Sequence, residues 1–405
     1  MRIAAALIAT LLLAGCVRVV PDMRPPVGTP APRPAPTPTP VPVPTPTPTP
    51  VPPTISAGPS VASLRLGTQD ARGALASFVE SCPRLVSRTD SSKLTAGADW
   101  RGVCDRARAW PADEAVRFFE SQFDTARLGD GATFVTGYFE PEIAGSRTRQ
   151  PGYDVPVYRL PPDLVRAWPA DMPLAERTGT PPLGRTDENG NHVPYYDRAA
   201  IVGGALADKG LEIAWVADAA EFFFLQVQGS GLLRLPDGSL MRIGYAGQNG
   251  RGYVGIGALM RERGLIGEGP GQYPGSMQGI LRYIRDNPDA GRALMNENPS
   301  WVFFKENTGD GPLGSLNVPV RAGSSVATDP AFIPLGAPVW LDVDRAEADG
   351  LWIAQDTGGA IKGANRFDTF WGNGPEARAI AGGMSARGQA LVLLPRGVLA
   401  RLLAR

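Results

Sequence analysis

The sequence predicts a mainly β protein whose folded part opens with helices, and three observations carry that expectation. After Gly131 the chain breaks into short apolar runs separated by Gly and Pro, the punctuation of strands and tight turns. Leu232 to Leu235, then Pro236-Asp237-Gly238, then Leu240 to Ile243 reads as a hairpin. From Val318 onward the runs PVWLDV, GLWIA and ALVLLP alternate with glycine turns, which favours a barrel or sandwich over an α/β sheet.

The elements follow in order. Met1 to Cys16 has a basic Arg2 and then an apolar run too short to span a bilayer, so residues 1–16 read as a signal peptide. The stretch ends in Leu13-Ala14-Gly15-Cys16, which resembles the bacterial lipobox. That resemblance implies lipidation of Cys16, and Val17 after it favours the outer membrane, with the protein facing the periplasm. Residues 17–60 form a linker in which every even position from Pro30 to Pro52 is proline. Such a run adopts extended polyproline II and reaches ~70 Å at about 3.1 Å per residue. Leu75, Phe78, Val79 and Cys82 recur at helical spacing. A second helix is expected from Pro111, with Ala115, Phe118, Phe119 and Phe123 on one face. Within the β region one helix is expected at Met277, Ile280, Leu281 and Ile284, with Ser276 as N-cap and Pro288 just beyond.

Composition narrows the chemistry. The 405 residues carry 40 basic and 40 acidic side chains, a balance that argues against a nucleic-acid partner. His192 is the sole histidine, so a zinc site built on several histidines is excluded. A Ser-His-Asp or Cys-His arrangement would have to rest on it, and its Pro/Gly/Asn-rich surroundings read as a surface loop. No metal or cofactor is expected. With Cys16 assigned to lipid, Cys82 and Cys104 remain; in an oxidising compartment this pair reads as a disulfide, against the alternative of two buried thiols.

The stretch AQDTGGAIKGANRFDTFWG, Ala354 to Gly372, concentrates acids, glycines and aromatics late in the chain. With Asp329 it makes a carboxylate site candidate. Carboxylates cleave glycosidic bonds by acid and base work, and calcium usually demands more ligands within one loop. Asp356-Thr357-Gly358 is also the tripeptide of aspartic proteases, which pair two such aspartates. Only one occurs here, and polar Gln355 precedes it where those enzymes place an apolar residue.

Several stretches in order resemble the membrane-bound lytic murein transglycosylase A family. They are Thr136-Gly137-Tyr138-Phe139-Glu140-Pro141, Val157-Tyr158-Arg159-Leu160-Pro161-Pro162, Gln226-Val227-Gln228-Gly229-Ser230-Gly231 and Tyr245-Ala246-Gly247-Gln248-Asn249-Gly250. Asn298-Pro299-Ser300-Trp301-Val302-Phe303-Phe304, Ala327-Thr328-Asp329 and Ala354 to Gly372 complete the set. The resemblance implies a double-psi β-barrel from residues 61–140, which include the N-terminal helices, and 300–400, with a second β domain, 141–299, inserted. It implies cleavage of the β-1,4 bond between N-acetylmuramic acid and N-acetylglucosamine in peptidoglycan, leaving a 1,6-anhydro sugar. Asp368 falls on the family's catalytic acid; Asp356 and Asp329 match its other two aspartates. Thr136, Tyr138, Gln228, Ser230, Asn249 and Lys362 are then candidate sugar contacts, with Gln228, Ser230 and Asn249 expected on glycine-bounded loops. Lys362 is expected to face substrate or solvent. Phe370 and Trp371 could stack on a sugar or close the barrel, with one of them expected in the core.

The expected partner is the peptidoglycan glycan strand. The expected state is a lipid-anchored monomer, alone or within a cell-wall enzyme complex. Two rivals stand beside this reading. An aspartic protease-like hydrolase using Asp356 would release peptides. A non-catalytic peptidoglycan-binding lipoprotein would tolerate loss of Asp368.

Overall fold

The computed structural model describes residues 53–309 and 311–404. Cys16, the signal peptide and nearly all of the proline-rich stretch lie outside them. No helix among the described residues is long and apolar enough to cross a membrane.

Six strands close into a barrel: Ser385–Pro395, Pro338–Val343, Gly350–Asp356, Ser325–Ala327, Arg366–Asn373 and Ala132–Glu140, the last pairing back onto the first. Two neighbouring pairs are parallel, Ser325–Ala327 with Gly350–Asp356 and Ala132–Glu140 with Arg366–Asn373. This closed ring is consistent with the expected double-psi barrel. Strand register sets Val135, Val326, Ala354, Phe367 and Val392 on one face, which fills the inside, and all five are buried; Ile353 shares the opposite face with Gln355, toward the first helix. Phe123–Leu128 and Ile55–Ala57 extend the sheet beyond the ring.

Helices Thr68–Leu85, Gly97–Ala109 and Ala115–Gln122 cover the barrel. Phe78 stands in ring contact with Trp100, Phe118 and Phe123, which makes an aromatic centre for these helices. Cys82 and Cys104 are joined by a disulfide that ties the first helix to the second. The helix expected from Pro111 begins at Ala115 after a single 3-10 turn, and Phe123 already belongs to a strand. Gln355, the polar residue in the buried strand Gly350–Asp356, has its role here. Its Nε2 donates to the Ser77 carbonyl and to Ser81 Oγ, both at 2.9 Å, and its Oε1 accepts from Ser325 Oγ. A fully buried amide is thereby satisfied, and the backbone just before Asp356 is pinned to the first helix.

Between the two barrel portions the chain forms a six-stranded sheet in the order Val302–Glu306, Leu240–Gln248, Ser230–Arg234, Glu142–Ser146, Glu212–Val216, Val155–Tyr158. The hairpin turn at Asp237-Gly238 is present, with Gly238 at φ +83° and the Asp237 carboxylate accepting from the Ser239 amide. Helix Met277–Asp286 starts at Ser276, whose Oγ accepts from the Gly279 amide. More helix is present than expected. Pro288 opens a further helix, Pro288–Asn296, rather than ending one, and Arg198–Val202, Ala219–Gln228 and Ile256–Glu262 are helical as well. His192 lies in a short strand, His192–Pro194, instead of a loop. The two β units are bolted together next to Tyr138: the Phe139 amide donates to Gln228 Oε1 at 2.9 Å, and buried Glu140 pairs with Arg242 at 2.9 Å.

Candidate active site

The barrel's strand register builds the site. Ala327 pairs with Asp356 on one side and Asp368 on the other, and Asp368 pairs with Thr136 on the next strand. Asp356, Ala327, Asp368 and Thr136 therefore stand in one row, with Asp356 and Asp368 two strand spacings apart, about 10 Å at the backbone. Thr136 Oγ1 donates to Asp368 Oδ1 at 2.5 Å. Arg366, two residues before Asp368 and so on the same strand face, donates from Nη2 to Thr136 Oγ1 at 2.8 Å.

Asp356 is held by four donors. Its Oδ1 accepts from the Ser315 amide at 2.8 Å, the Ser315 hydroxyl at 3.0 Å and the Thr357 amide at 2.8 Å; its Oδ2 accepts from the Tyr138 hydroxyl at 3.1 Å. Tyr138 itself is buried and feels the charge of both aspartates.

Protonation follows from these surroundings. Burial is the main cause that lifts Asp368 to about 6; the Thr136 hydrogen bond and the Arg366 charge pull it down, and the Asp356 charge adds to the lift. Asp368 keeps partial exposure, so the acid is shielded yet reachable. Burial also raises Asp356, but all four of its hydrogen bonds favour the ionised form. Burial, followed by the two carboxylates, keeps the Tyr138 hydroxyl protonated, so it serves as a donor. From the inserted unit, exposed Tyr253 comes within electrostatic reach of Asp368. The site thus opens between barrel and insert.

Other expected residues land differently. The Asp329 carboxylate accepts from the Ala331 amide at 3.1 Å and the Gly363 amide at 2.9 Å, so it clamps the loop before Asp368 and makes no hydrogen bond to Asp368. Gly363 has φ +107°, a conformation that favours glycine. Asn249 is fully buried: its amide nitrogen donates to the Tyr196 and Pro299 carbonyls and its oxygen accepts from the Trp301 amide. Its expected place as a sugar contact is corrected, because every strong hydrogen-bonding direction is taken inside the fold. Gln228 ends helix Ala219–Gln228 and Ser230 starts the following strand, so neither sits on an extended loop. Gln228 uses its oxygen on Phe139. The Ser230 hydroxyl has no hydrogen-bond partner among the described residues and is partly exposed. Lys362 is exposed. Phe370 is buried against Tyr138, their ring centroids 5.0 Å apart, while Trp371 is partly buried. Sequence reasoning missed Arg366, Ser315 and Tyr253. The i, i+2 spacing of Arg366 and Asp368 on a strand was the one available signal.

Two carboxyls in one row, one lifted by burial to about 6 and one ringed by four hydrogen-bond donors, suit acid–base chemistry. Family comparison makes this specific. The MltA specific insert domain matches residues 134–305, and the 3D domain matches residues 324–394. The chain belongs to the membrane-bound lytic murein transglycosylase A family. It is 33% identical over 300 residues to that enzyme of Vibrio cholerae, covering 70% of this chain and 73% of the relative. The Escherichia coli K12 protein is 32% identical over 312 residues, covering 74% and 73%. Among solved structures, a membrane-bound lytic murein transglycosylase from Agrobacterium tumefaciens superposes with a TM-score of 0.72 at 29% identity, covering 86% of this chain and 99% of the other. MltA from Neisseria gonorrhoeae gives 0.67 at 34% identity, covering 86% and 96%. E. coli MltA with bound chitohexaose gives 0.57 at 28% identity, covering 79% and 89%.

Proposed function

We propose that this chain is a peptidoglycan lytic transglycosylase that cleaves the β-1,4 bond between N-acetylmuramic acid and N-acetylglucosamine and forms a 1,6-anhydro product. The observation that carries the reading is the Asp368 carboxyl, raised to about 6 and partly open to the space between barrel and insert. Protonated Asp368 gives its proton to the glycosidic oxygen as the bond to C1 breaks. The resulting carboxylate then takes the proton of the sugar's own C6 hydroxyl as that oxygen bonds to C1. The proton count closes on one residue, because the group that leaves and the group that attacks are served in turn. A tethered nucleophile has a high effective concentration and needs no positioned water. A hydrolase needs a second carboxylate for that water.

Asp356 then acts through Asp368. Burial raises Asp356 while its four hydrogen bonds favour the ionised form, and when ionised its charge favours the protonated acid. Tyr138 holds Asp356, and Asp329 holds the loop that leads to Asp368. Ser230, Lys362 and Tyr253 keep exposed surface and are the candidate sugar contacts, Tyr253 within electrostatic reach of Asp368. The E. coli relative was solved with bound chitohexaose, a β-1,4 oligomer of N-acetylglucosamine, which supports a glycan as the ligand. The anchor reading belongs to the same proposal: Cys16 carries lipid, the proline-rich segment spaces the enzyme from the outer membrane, and a monomer acts on the wall from the periplasmic side.

The experiment digests purified sacculi with wild type and Asp368→Asn. Removing a general acid typically costs about 10²–10⁴-fold, so muropeptide release should drop by at least that while sacculus binding persists. Near-normal release by the variant would overturn the assignment of Asp368 and move the catalytic role to Asp356; no release by wild type would leave the binding-only reading.

A further inference from the structure

We propose that Arg366 is a positioning residue that works through Thr136 to decide which oxygen of Asp368 carries the transferable proton. The inference rests on the reading of Asp368 as the acid. Thr136 has one hydroxyl hydrogen and two lone pairs. Arg366 Nη2 donates to Thr136 Oγ1 at 2.8 Å and so takes one of the oxygen's two lone pairs. The Thr136 hydrogen is thereby turned onto Asp368 Oδ1, at 2.5 Å. A proton on Oδ1 would face that hydrogen and displace it. The protonated acid therefore keeps Oδ1 as the accepting oxygen and places its proton on Oδ2, away from the barrel wall. One rotamer and one protonated oxygen are selected before substrate arrives, which is the preorganisation a proton donor needs.

Arg366 is itself fixed for this task. Nη1 donates to the Phe367 carbonyl, and the guanidinium lies over the Phe134 ring, 4.9 Å from its centroid. Arg387 lies over the same ring at the same distance. Among the described residues Arg366 makes no salt bridge, so its charge remains available to Asp368, whose proton affinity it lowers. The other groups facing Asp368 are Thr136 and Tyr138 from the neighbouring strand, Asp356 from beyond Ala327 and Tyr253 from the insert.

The test uses the folded mature protein with Arg366→Met, Thr136→Val and Thr136→Ser. Asp368 is titrated by carboxyl carbon-13 NMR, with Asp368→Asn assigning its signal, and kcat and KM on sacculi are measured across pH. Arg366→Met and Thr136→Val should both raise the Asp368 titration point and carry the alkaline limb of the rate profile upward with it. Their kcat on the acidic plateau should fall by roughly tenfold, less than loss of the acid itself, with KM little changed. Thr136→Ser, which keeps the hydroxyl, should restore all three. An unmoved Asp368 titration in Arg366→Met would overturn the role of Arg366. Failure of Thr136→Ser to rescue would overturn the hydroxyl link. A titration that moves while the rate profile stays would instead remove Asp368 as the acid, and with it the reading on which this role rests.

Discussion

At the scale of a residue, Asp368 illustrates stability exchanged for chemistry. Its folded value of about 6 lies above the ordinary 3.8, so the folded state holds this proton more tightly than the unfolded chain. Its contribution to stability is therefore fullest below pH 3.8 and is lost as pH rises to about 6. Asp368→Asn removes the ionisation, and the variant should be more stable than wild type at pH 7 by on the order of 3 kcal/mol, given about 1.4 kcal/mol per unit over the rise from 3.8 to about 6. Urea unfolding at pH 7 and at pH 3.5 checks this: the gain should be large at the first and nearly absent at the second. If Asp368 is the acid as proposed, the same value places the rate's alkaline limb near pH 6 in wild type.

At the scale of the element, the sequence spoke clearly where hydrophobic period and turn chemistry agreed. The helix over Phe78 and Cys82, the hairpin at Asp237-Gly238 and the Ser276 cap are such places. Helix Ala219–Gln228 was invisible because AAEFFFLQVQ is apolar on most faces, and such a short run cannot be told from a strand by period. The role of Gln355 was invisible for another reason: its partners Ser77 and Ser81 lie more than 270 positions away in sequence. Asp356 and Asp368 could be picked out in advance, but Arg366, Ser315 and Tyr253 depend on strand register and on the approach of the insert. Gly137 shows the same dependence on register. A Cβ there would come within 3.0 Å of Ala381, Trp371 and Met384, so only glycine lets helix Gly374–Gly383 lie against the strand that carries Thr136 and Tyr138. The disulfide belongs to this scale too. It closes a loop of 22 positions between two helices, which is worth about 3 kcal/mol in the chain-entropy model. Cys82→Ser with Cys104→Ser should lower the denaturation midpoint accordingly, and equal midpoints would show that the helices hold without it.

At the scale of the whole molecule, the proposal is a tethered wall enzyme, with lipid on Cys16 and the proline-rich stretch leading to the barrel and insert that flank Asp368. Cys16→Ser should release the protein from the membrane fraction or leave it unprocessed, as read by fractionation and intact mass; unchanged membrane partitioning would contradict the anchor. The central claim, though, concerns the fate of the cleaved bond. If the C6 hydroxyl is the nucleophile, sacculi digested by the wild-type protein release muropeptides ending in 1,6-anhydromuramic acid, each lighter by one water than its hydrolysed counterpart. Mass spectrometry of the soluble products from a digest in heavy-oxygen water measures this directly. The account predicts anhydro ends without incorporated label, lost in Asp368→Asn and reduced in Asp356→Asn; reducing ends carrying the label would contradict it and make the enzyme a hydrolase.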